Sequence, residues 1–263
     1  MSMLQSIWAY RYFIFTSIKN ELKARFVRSK LGGVWMIIHP LMQVLIYAVI
    51  LSEVLSAKLQ GVTSRYGYAL YLLAGMLFWT LFSETVGKCL TLFVDNGNLM
   101  RKIAFPRICL PIIAAGTALV NNLLLAVAIF GVFAVLGHFP GVQVVWLPVL
   151  MLLTLLLAMG VGIFLGVLNV FMRDIGQVVP VVLNALFWLT PIVYSLNALP
   201  ERFQHWFGLN PLYSLVTSYQ SVLVYGNPPL WSDLGRLFVG ALVICALAMV
   251  VFRRSSAEMV DAL

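Results

Sequence analysis

The chain has 263 residues, of which 62% are hydrophobic and 10% are charged, and its mean hydropathy is +0.98. Soluble domains carry about 25% charged and about 45–50% apolar residues. The composition therefore excludes a soluble domain and indicates an integral membrane protein. The formal net charge of +8 suits either nucleic acid or a membrane surface; in so apolar a chain we expect membrane lipid as the partner and no nucleic acid.

The first 30 residues predict a helix that lies in the cytoplasmic membrane interface. Apolar residues recur there at every fourth position, and basic residues lie off their stripe: Ile14, Ile18, Leu22 and Phe26 against Lys19, Lys23, Arg25 and Arg28. This is the pattern of an amphipathic interfacial helix. The basic residues either anchor the helix to anionic lipid or take part in function.

Six later segments are apolar and long enough to cross a bilayer, which takes about 20 residues, and they predict an all-α membrane fold. They cover about 34–57, 68–94, 108–137, 142–171, 178–197 and 232–252. The third and fourth are separated by a tight turn, His-Phe-Pro-Gly at 138–141. The sequence shows no clear internal repeat, so an inverted-repeat transporter core has no support.

The distribution of Lys and Arg predicts the topology. Twelve of these 17 residues lie in segments on one side of the six spans and three lie on the other, while Lys88 and Arg236 fall inside apolar stretches. The positive-inside rule then places both termini in the cytoplasm. Glu84 and Lys88 are spaced to form an ion pair on one helix face, as are Asp233 and Arg236.

The sequence lacks the motifs of an enzyme or an ATPase. No Gly-x-x-x-x-Gly-Lys-Ser/Thr phosphate loop occurs, because Gly87-Lys88 is followed by Cys89 inside a span. His39, His138 and His205 are widely separated, so no metal site is predicted. The nine acidic residues are mostly single and near span ends. We therefore expect a protein that moves a cargo, with no cofactor bound to this chain.

Three segments resemble the motifs of ABC-2 type permeases that export polysaccharides. Segment 21–50, ELKARFVRSKLGGVWMIIHPLMQVLIYAVI, resembles the entry to the first span of that family, with His39-Pro40 in place of Asn-Pro. Segment 96–111, NGNLMRKIAFPRICLP, resembles its cytoplasmic loop. Segment 171–212 resembles its region from Arg-Asp to Asn-Pro, with Thr190 where Ser is common.

The resemblance implies a homodimer in the bacterial inner membrane with two copies of a separate ATPase subunit, which binds ATP and Mg. The implied cargo is a polysaccharide linked to undecaprenyl pyrophosphate, with O-antigen as the leading interpretation. Capsule and teichoic-acid exporters share the motifs and stay open, as does another ABC-2 lipid or drug exporter. A membrane transferase acting on lipid-linked sugars is the alternative from another class, but the clustered loop carboxylates that it would need are absent.

Two groups of basic or loop residues are candidates for function on the cytoplasmic side. A lipid-pyrophosphate gate is expected at Arg25, Arg28, Lys30 and Arg173, because guanidinium groups match phosphate in a bidentate way. A coupling element that docks on the ATPase is implied by the resemblance at Arg101, Lys102, Phe105, Pro106 and Arg107. The alternative for both groups is that the charges only set the topology.

Two further groups are expected along the transport pathway. Channel-lining residues are expected at Trp35, His39, Gln43 and Tyr47, which share one helix face, and at Phe78, Trp79, Trp188 and Tyr194. Ordinary packing is the alternative for any single aromatic residue. Prolines at 191, 200 and 211 break the apolar segment before the last span, which predicts a re-entrant helix pair at about 199–224. Its periplasmic gate residues would be Phe203, Trp206, Phe207 and Tyr213.

Overall fold

A computed structural model describes residues 8–24, 67–102, 106–195 and 210–256, with positions 34, 35, 38, 41, 42, 46, 207, 258 and 259. Its regular structure in these residues is all helix, and no strand occurs among them, so the predicted all-α class is confirmed there. The first predicted span and the first predicted gate helix fall mainly outside the described residues.

The chain forms eight α-helices within the described ranges. They are α1 (Arg11–Ala24), α2 (Gly67–Asp95), α3 (Gly97–Lys102), α4 (Cys109–Val135), α5 (Leu147–Phe171), α6 (Ile175–Leu189), α7 (Pro211–Gln220) and α8 (Trp231–Ser255). A 3-10 turn, Val142–Trp146, leads into α5, and a π-helical turn, Ser221–Tyr225, continues α7.

Within the described residues, four segments are long and apolar enough to cross a membrane. They are Gly67–Asp95, Cys109–Val135, Val142–Phe171 and Trp231–Ser255. These helices confirm the second, third, fourth and sixth predicted spans. The predicted tight turn between α4 and α5 is also present, and Gly137 begins it with a positive φ of 70°.

Helix α6 ends earlier than the fifth predicted span. Its last residue is Leu189, so the predicted end at 197 is wrong. The physical reason is Pro191, whose ring disfavours helical backbone at the preceding residue; Thr190 is accordingly extended, with φ −107° and ψ 134°. At 1.5 Å per residue the 15 residues of α6 rise only about 22 Å, which is less than the roughly 30 Å of a bilayer core.

Helix α2 lies at the centre of the bundle. Its most apolar stretch is 83% buried inside the protein, compared with 22% for that of α8. Helices α4, α5, α7 and α8 complete one core around it. The outer helices therefore leave much of their apolar surface for lipid or for other chains.

Helices α2 and α5 approach most closely at two glycines. Gly162 and Gly166 are four residues apart on α5, and they face the backbone of α2 at Cys89. A Cβ atom on Gly162 would lie 2.6 Å from Cys89 Cβ, and one on Gly166 would overlap the Cys89 carbonyl oxygen. This is the Gly-x-x-x-Gly arrangement that lets membrane helices pack backbone to backbone, and the sequence analysis did not identify it.

Basic side chains gather at one end of the bundle, which we call the basic end. The last turns of α2 and α8 meet there, with the Phe93 and Phe252 rings stacked 5.4 Å apart. Exposed basic residues at or near this end include Lys19, Lys23, Arg101, Arg173, Arg253 and Arg254. At the opposite end, Arg236 pairs with Asp233 as predicted.

The close contact between α2 and α5 predicts that Gly166→Ala destabilises the protein. The added methyl group has to displace backbone and not a flexible side chain, and such overpacking costs about 1–3 kcal/mol. Thermal unfolding of the purified chain in detergent measures the change. The matched control is Gly131→Ala on α4, where no atom lies near the added Cβ; there, higher helix propensity should stabilise slightly. Equal unfolding temperatures for the two variants would contradict the prediction.

Candidate functional site

Helix α1 packs its predicted apolar stripe onto the start of α4. Ile14 is buried against Cys109 and Ile113. Ile18 lies so close to α4 that a Cβ atom on Gly116 would be 2.5 Å from Ile18 Cδ1. The interfacial helix is therefore attached to the bundle by a specific apolar contact.

A cluster of five polar side chains joins α1, α2 and α4 near the basic end, and we call it the polar latch. Lys88 Nζ lies 2.9 Å from Glu21 Oε1 and 3.4 Å from Glu84 Oε1, so the predicted pair with Glu84 is confirmed. The Thr117 hydroxyl donates to Glu21 Oε2 at 3.0 Å, and the Asn121 amide donates to Glu84. One ammonium group thus bridges two carboxylates on different helices.

Glu21, Thr117 and Asn121 are not among the functional residues predicted from the sequence. Glu21 follows Ile14 by seven residues and therefore stands on the apolar face of α1. A carboxylate on such a face needs a partner inside the protein, and that was the available signal. The Lys88 side chain is only 15% exposed, so its ammonium group has little contact with water. The ion pair with Glu21 replaces much of that lost hydration.

Residues Thr190–Ser195 form a turn between α6 and the following segment, and we call it the clamped turn. Side chains of α2 and α7 donate hydrogen bonds to its backbone carbonyls. They run from Tyr68 to Val193 at 2.6 Å, from Tyr71 to Pro191 and to Tyr194 at 3.2 Å each, and from Gln220 to Pro191 at 3.2 Å. Broken backbone is tolerated at membrane depth only when protein or water satisfies it, and these donors meet that requirement.

Asn210 connects the clamped turn to α7. Its side chain accepts a hydrogen bond from Leu212 N at 3.0 Å and so caps the helix, with Pro211 at the first helical position. Its amide donates to the Thr190 hydroxyl at 3.2 Å. The Asn-Pro pair therefore begins α7 and holds it to the turn. This confirms a helix in the second half of the predicted gate region, where α7 and its π-helical turn occupy 211–225.

A polar cavity of about 150 Å³ lies beside the clamped turn. It is lined by hydroxyl and amide groups, among them those of Tyr71, Tyr213, Thr217, Gln220 and Tyr225. Tyr194 and Tyr225 lie outside the four long helices, and burial raises the pKa of each phenol above its ordinary value. The Tyr194 hydroxyl donates to Trp188 O at 2.8 Å.

Some of the residues predicted to act on the cytoplasmic side lie within the described part of the chain, and others do not. Arg25, Arg28, Lys30 and Phe105 lie outside the described residues. Arg173 and Arg101 are exposed at the basic end, Lys102 is the last residue of α3, and Pro106 is half-buried. Arg107 is half-buried as well, and its guanidinium donates to the backbone and the hydroxyl of Ser256. The candidate coupling loop is thus tied to the end of α8.

The residues predicted to line the transport pathway or to form its periplasmic gate are also only partly within the described chain. His39, Gln43, Tyr47, Phe203 and Trp206 lie outside the described residues. Trp35 and Trp188 are exposed, whereas Phe78 is fully buried and packs against Tyr219 with ring centroids 5.7 Å apart. Trp79 packs against Phe187. Tyr194 and Phe207 meet edge to face at 6.1 Å, and Tyr213 is half-buried.

Comparison with known proteins adds a family match. The model of the ABC-2 type transporter family matches residues 12–224. The chain is 26% identical to the O-antigen export system permease protein RfbA of Myxococcus xanthus, over 99% of both chains. It is 26% identical to the RfbA protein of Klebsiella pneumoniae over 93% of both chains. It is 22% identical to the polysialic acid transport protein KpsM of Escherichia coli, over 89% of this chain and 90% of that protein.

The polar latch predicts that Lys88→Met frees α1 from the bundle. The substitution leaves the Glu21 carboxylate facing α4 without its ammonium partner. Because Glu21 is 38% exposed, the loss of folding free energy should be smaller than the value of about 3–5 kcal/mol for breaking a fully buried ion pair. Amide hydrogen exchange over 11–24 measures the release and should become faster. Lys23→Gln, an exposed charge on the same helix, is the control. A double-mutant cycle with Glu21→Gln should show coupling between the two residues; additive effects would contradict the latch.

The clamped turn predicts that Tyr71→Phe loosens residues 190–195. The variant keeps the ring but removes the hydroxyl that two buried carbonyls share, at a cost of about 1–3 kcal/mol. Amide exchange at Thr190 and Ile192, whose N–H groups bond within this segment and the end of α6, should become faster. Tyr12→Phe removes a phenol from a residue that is 73% exposed and should change nothing. Unchanged exchange in Tyr71→Phe would show that the clamp does not hold the turn.

Proposed function

Because the chain belongs to the ABC-2 type transporter family, we propose that it is the membrane permease of an exporter of lipid-linked polysaccharide, with O-antigen as the cargo. The observation that carries this proposal is the end-to-end similarity to an O-antigen export permease, which covers 99% of both chains. A shared domain alone would match only part of each chain. The cargo would be a polymer on undecaprenyl pyrophosphate, and a separate ATPase subunit would supply the energy.

A transport role also agrees with the chemistry of the described residues. Among them, no three His, Cys, Asp or Glu side chains gather into a group that would hold a metal ion. Two buried amides bond to a neighbouring helix: the Asn122 amide donates to Leu77 O at 2.9 Å, and that of Asn169 donates to Leu90 O at 3.0 Å. Such bonds hold helices together in a membrane.

The basic end is the proposed cytoplasmic side, where the ATPase subunit would dock. The excess of Lys and Arg there supports this orientation. Exposed aromatic residues on α1 and just before it, Tyr12, Phe15 and Trp8, suit a helix lying at the membrane surface. The short helix α3 and the segment up to Arg107 would receive the movement of the ATPase. The bond from Arg107 to Ser256 would pass it to α8.

Helix α6 supports the proposal of a homodimer. Val179 is its one buried residue, and Val178, Val181, Val182 and Trp188 are exposed. An apolar helix with so little contact inside its own chain, and too short for the bilayer core, is better placed against a second copy than against lipid. The channel would then run between the two copies, with Trp188 and Tyr194 near its wall and α7 beside its periplasmic exit.

A capsular polymer is the second candidate cargo. The specific observation in its favour is the similarity to the polysialic acid transport protein KpsM. Its identity of 22% is lower than the 26% found with the O-antigen export permeases, so O-antigen is the first choice.

Deletion of the gene in its native bacterium tests the proposal. Export should stop, so that long-chain lipopolysaccharide disappears from the cell surface while the lipid-linked polymer accumulates inside. Electrophoresis of lipopolysaccharide and staining of surface capsule distinguish the two cargoes: loss of capsule alone selects the second candidate, and loss of neither polymer contradicts polysaccharide export.

Complementation of the same deletion tests the coupling loop. The wild-type chain should restore export. Arg101→Glu combined with Lys102→Glu should reduce both export and co-purification of the ATPase subunit by roughly tenfold or more, since charge reversal at an interface centre costs about 2 kcal/mol or more. Arg254→Glu, an exposed charge reversal at the same end, is the control and should restore export. Normal export by the double variant would exclude the loop from coupling.

A further inference from the structure

A groove of about 430 Å³ lies between α7 and α8, and Asn210, Pro211 and Tyr213 of the gate region are among the residues that line it. One wall is a single face of α8, the other is the start of α7, and Leu157 of α5 lines it as well. Its volume is in the range of about 300–1,000 Å³ that is usual for sites of small ligands.

The groove changes from polar to apolar along α8. Asp233 and Arg236 line it in the first turns of the helix, followed by Leu237, Gly240 and Ile244. From Asp233 to Ile244 the helix rises about 16 Å. Because α8 crosses the membrane from the opposite end, the charged residues lie near the membrane surface and the apolar residues lie deeper. A groove with this gradient fits an amphiphile that has its polar head outward and a hydrocarbon chain along the helix.

The charges at the mouth select the kind of head group. The Arg236 guanidinium donates to the Asp233 carboxylate, and the Arg236 side chain is 81% exposed. A guanidinium has five N–H donors, so after this bond it still presents donors to a phosphate. The Asp233 carboxylate accepts from a primary ammonium group. An anionic head group would meet the repulsion of Asp233, and a quaternary amine has no N–H to donate to it.

We propose that this groove binds one zwitterionic aminophospholipid of the phosphatidylethanolamine class. Its phosphate lies on Arg236, its ammonium group lies on Asp233, and one acyl chain follows Leu237, Gly240 and Ile244. The hydroxyl of Ser214 on the facing wall adds a polar contact near the start of α7. The lipid would fill the space between α7 and α8 and support the gate helix from the membrane side.

Gly240 offers a variant that fills the groove without disturbing the fold. A Cβ atom built on Gly240 meets no atom within 4 Å, so Gly240→Leu places its side chain in the groove and not in the core. Gly235→Leu is the matched control on the same helix. Its added Cβ also meets no atom within 4 Å, and it lines a different, wholly apolar cavity with Val149, Trp231 and Phe238.

Native mass spectrometry of the purified full chain tests the proposal, with phosphatidylethanolamine, phosphatidylglycerol and phosphatidylcholine of identical acyl chains added in turn. We expect one tightly bound phosphatidylethanolamine in the wild type and in Gly235→Leu. Gly240→Leu should bind it about tenfold more weakly or worse, with an unchanged unfolding temperature. Asp233→Asn should remove the preference for phosphatidylethanolamine over phosphatidylcholine.

Two results would overturn the proposal. Equal binding of phosphatidylethanolamine by the wild type and Gly240→Leu would show that the groove is not the site. Binding of phosphatidylglycerol by the wild type as tightly as phosphatidylethanolamine would show that the paired charges do not select the head group. The measurement needs neither the ATPase nor a polysaccharide, so its outcome is separate from that of the export experiment.

Discussion

The enclosure of helix α2 is the constraint on which the rest of the structure depends. A helix surrounded by other helices has little water at its middle, so polar groups there depend on partners inside the protein. The partners come from each neighbour in turn: Asn122 of α4 bonds to Leu77 O, Glu21 of α1 meets Lys88, and Asn169 of α5 bonds to Leu90 O. The glycines of α5 bring its backbone against Cys89. The positions of α1, α4 and α5 follow from satisfying and packing this one helix.

The two ends of α2 hold two parts of the described chain that lie outside its four long helices. Near the basic end, Lys88 retains the interfacial helix α1. At the other end, Tyr68 and Tyr71 hold the backbone of the clamped turn, which also bonds to α7 through Gln220 and Asn210. A permease has to move elements on both faces of the membrane without losing its core. A central helix that holds both elements by a few hydrogen bonds and one ion-pair cluster suits that task. Such contacts break and re-form at a lower free-energy cost than buried apolar packing.

Several helices expose apolar side chains on the outside of the bundle. Helix α6 and the outer faces of α4 and α8 expose valine, leucine and phenylalanine side chains, and each needs lipid or a second chain to cover it. The shortness of α6 and its largely exposed apolar surface are the grounds for proposing a protein partner there. The groove beside Asp233 and Arg236 instead combines charge with an apolar wall, as a phospholipid requires. The two proposals thus place protein and lipid contacts on different helices.

The sequence by itself determined the membrane class, four of the spans, the apolar stripe of α1, the pairs Glu84–Lys88 and Asp233–Arg236, and the family. Hydropathy, charge bias and residue spacing are local properties, and a bilayer makes them decisive. Only the tertiary structure decided that Glu21 and Thr117 join the Lys88 pair, that Phe78 lies inside the core and that tyrosines of α2 hold the turn after α6. The polar contacts among these features join residues about 70 to 125 positions apart along the chain. The periodicity within one helix does not indicate which distant carbonyl or carboxylate its side chains will contact.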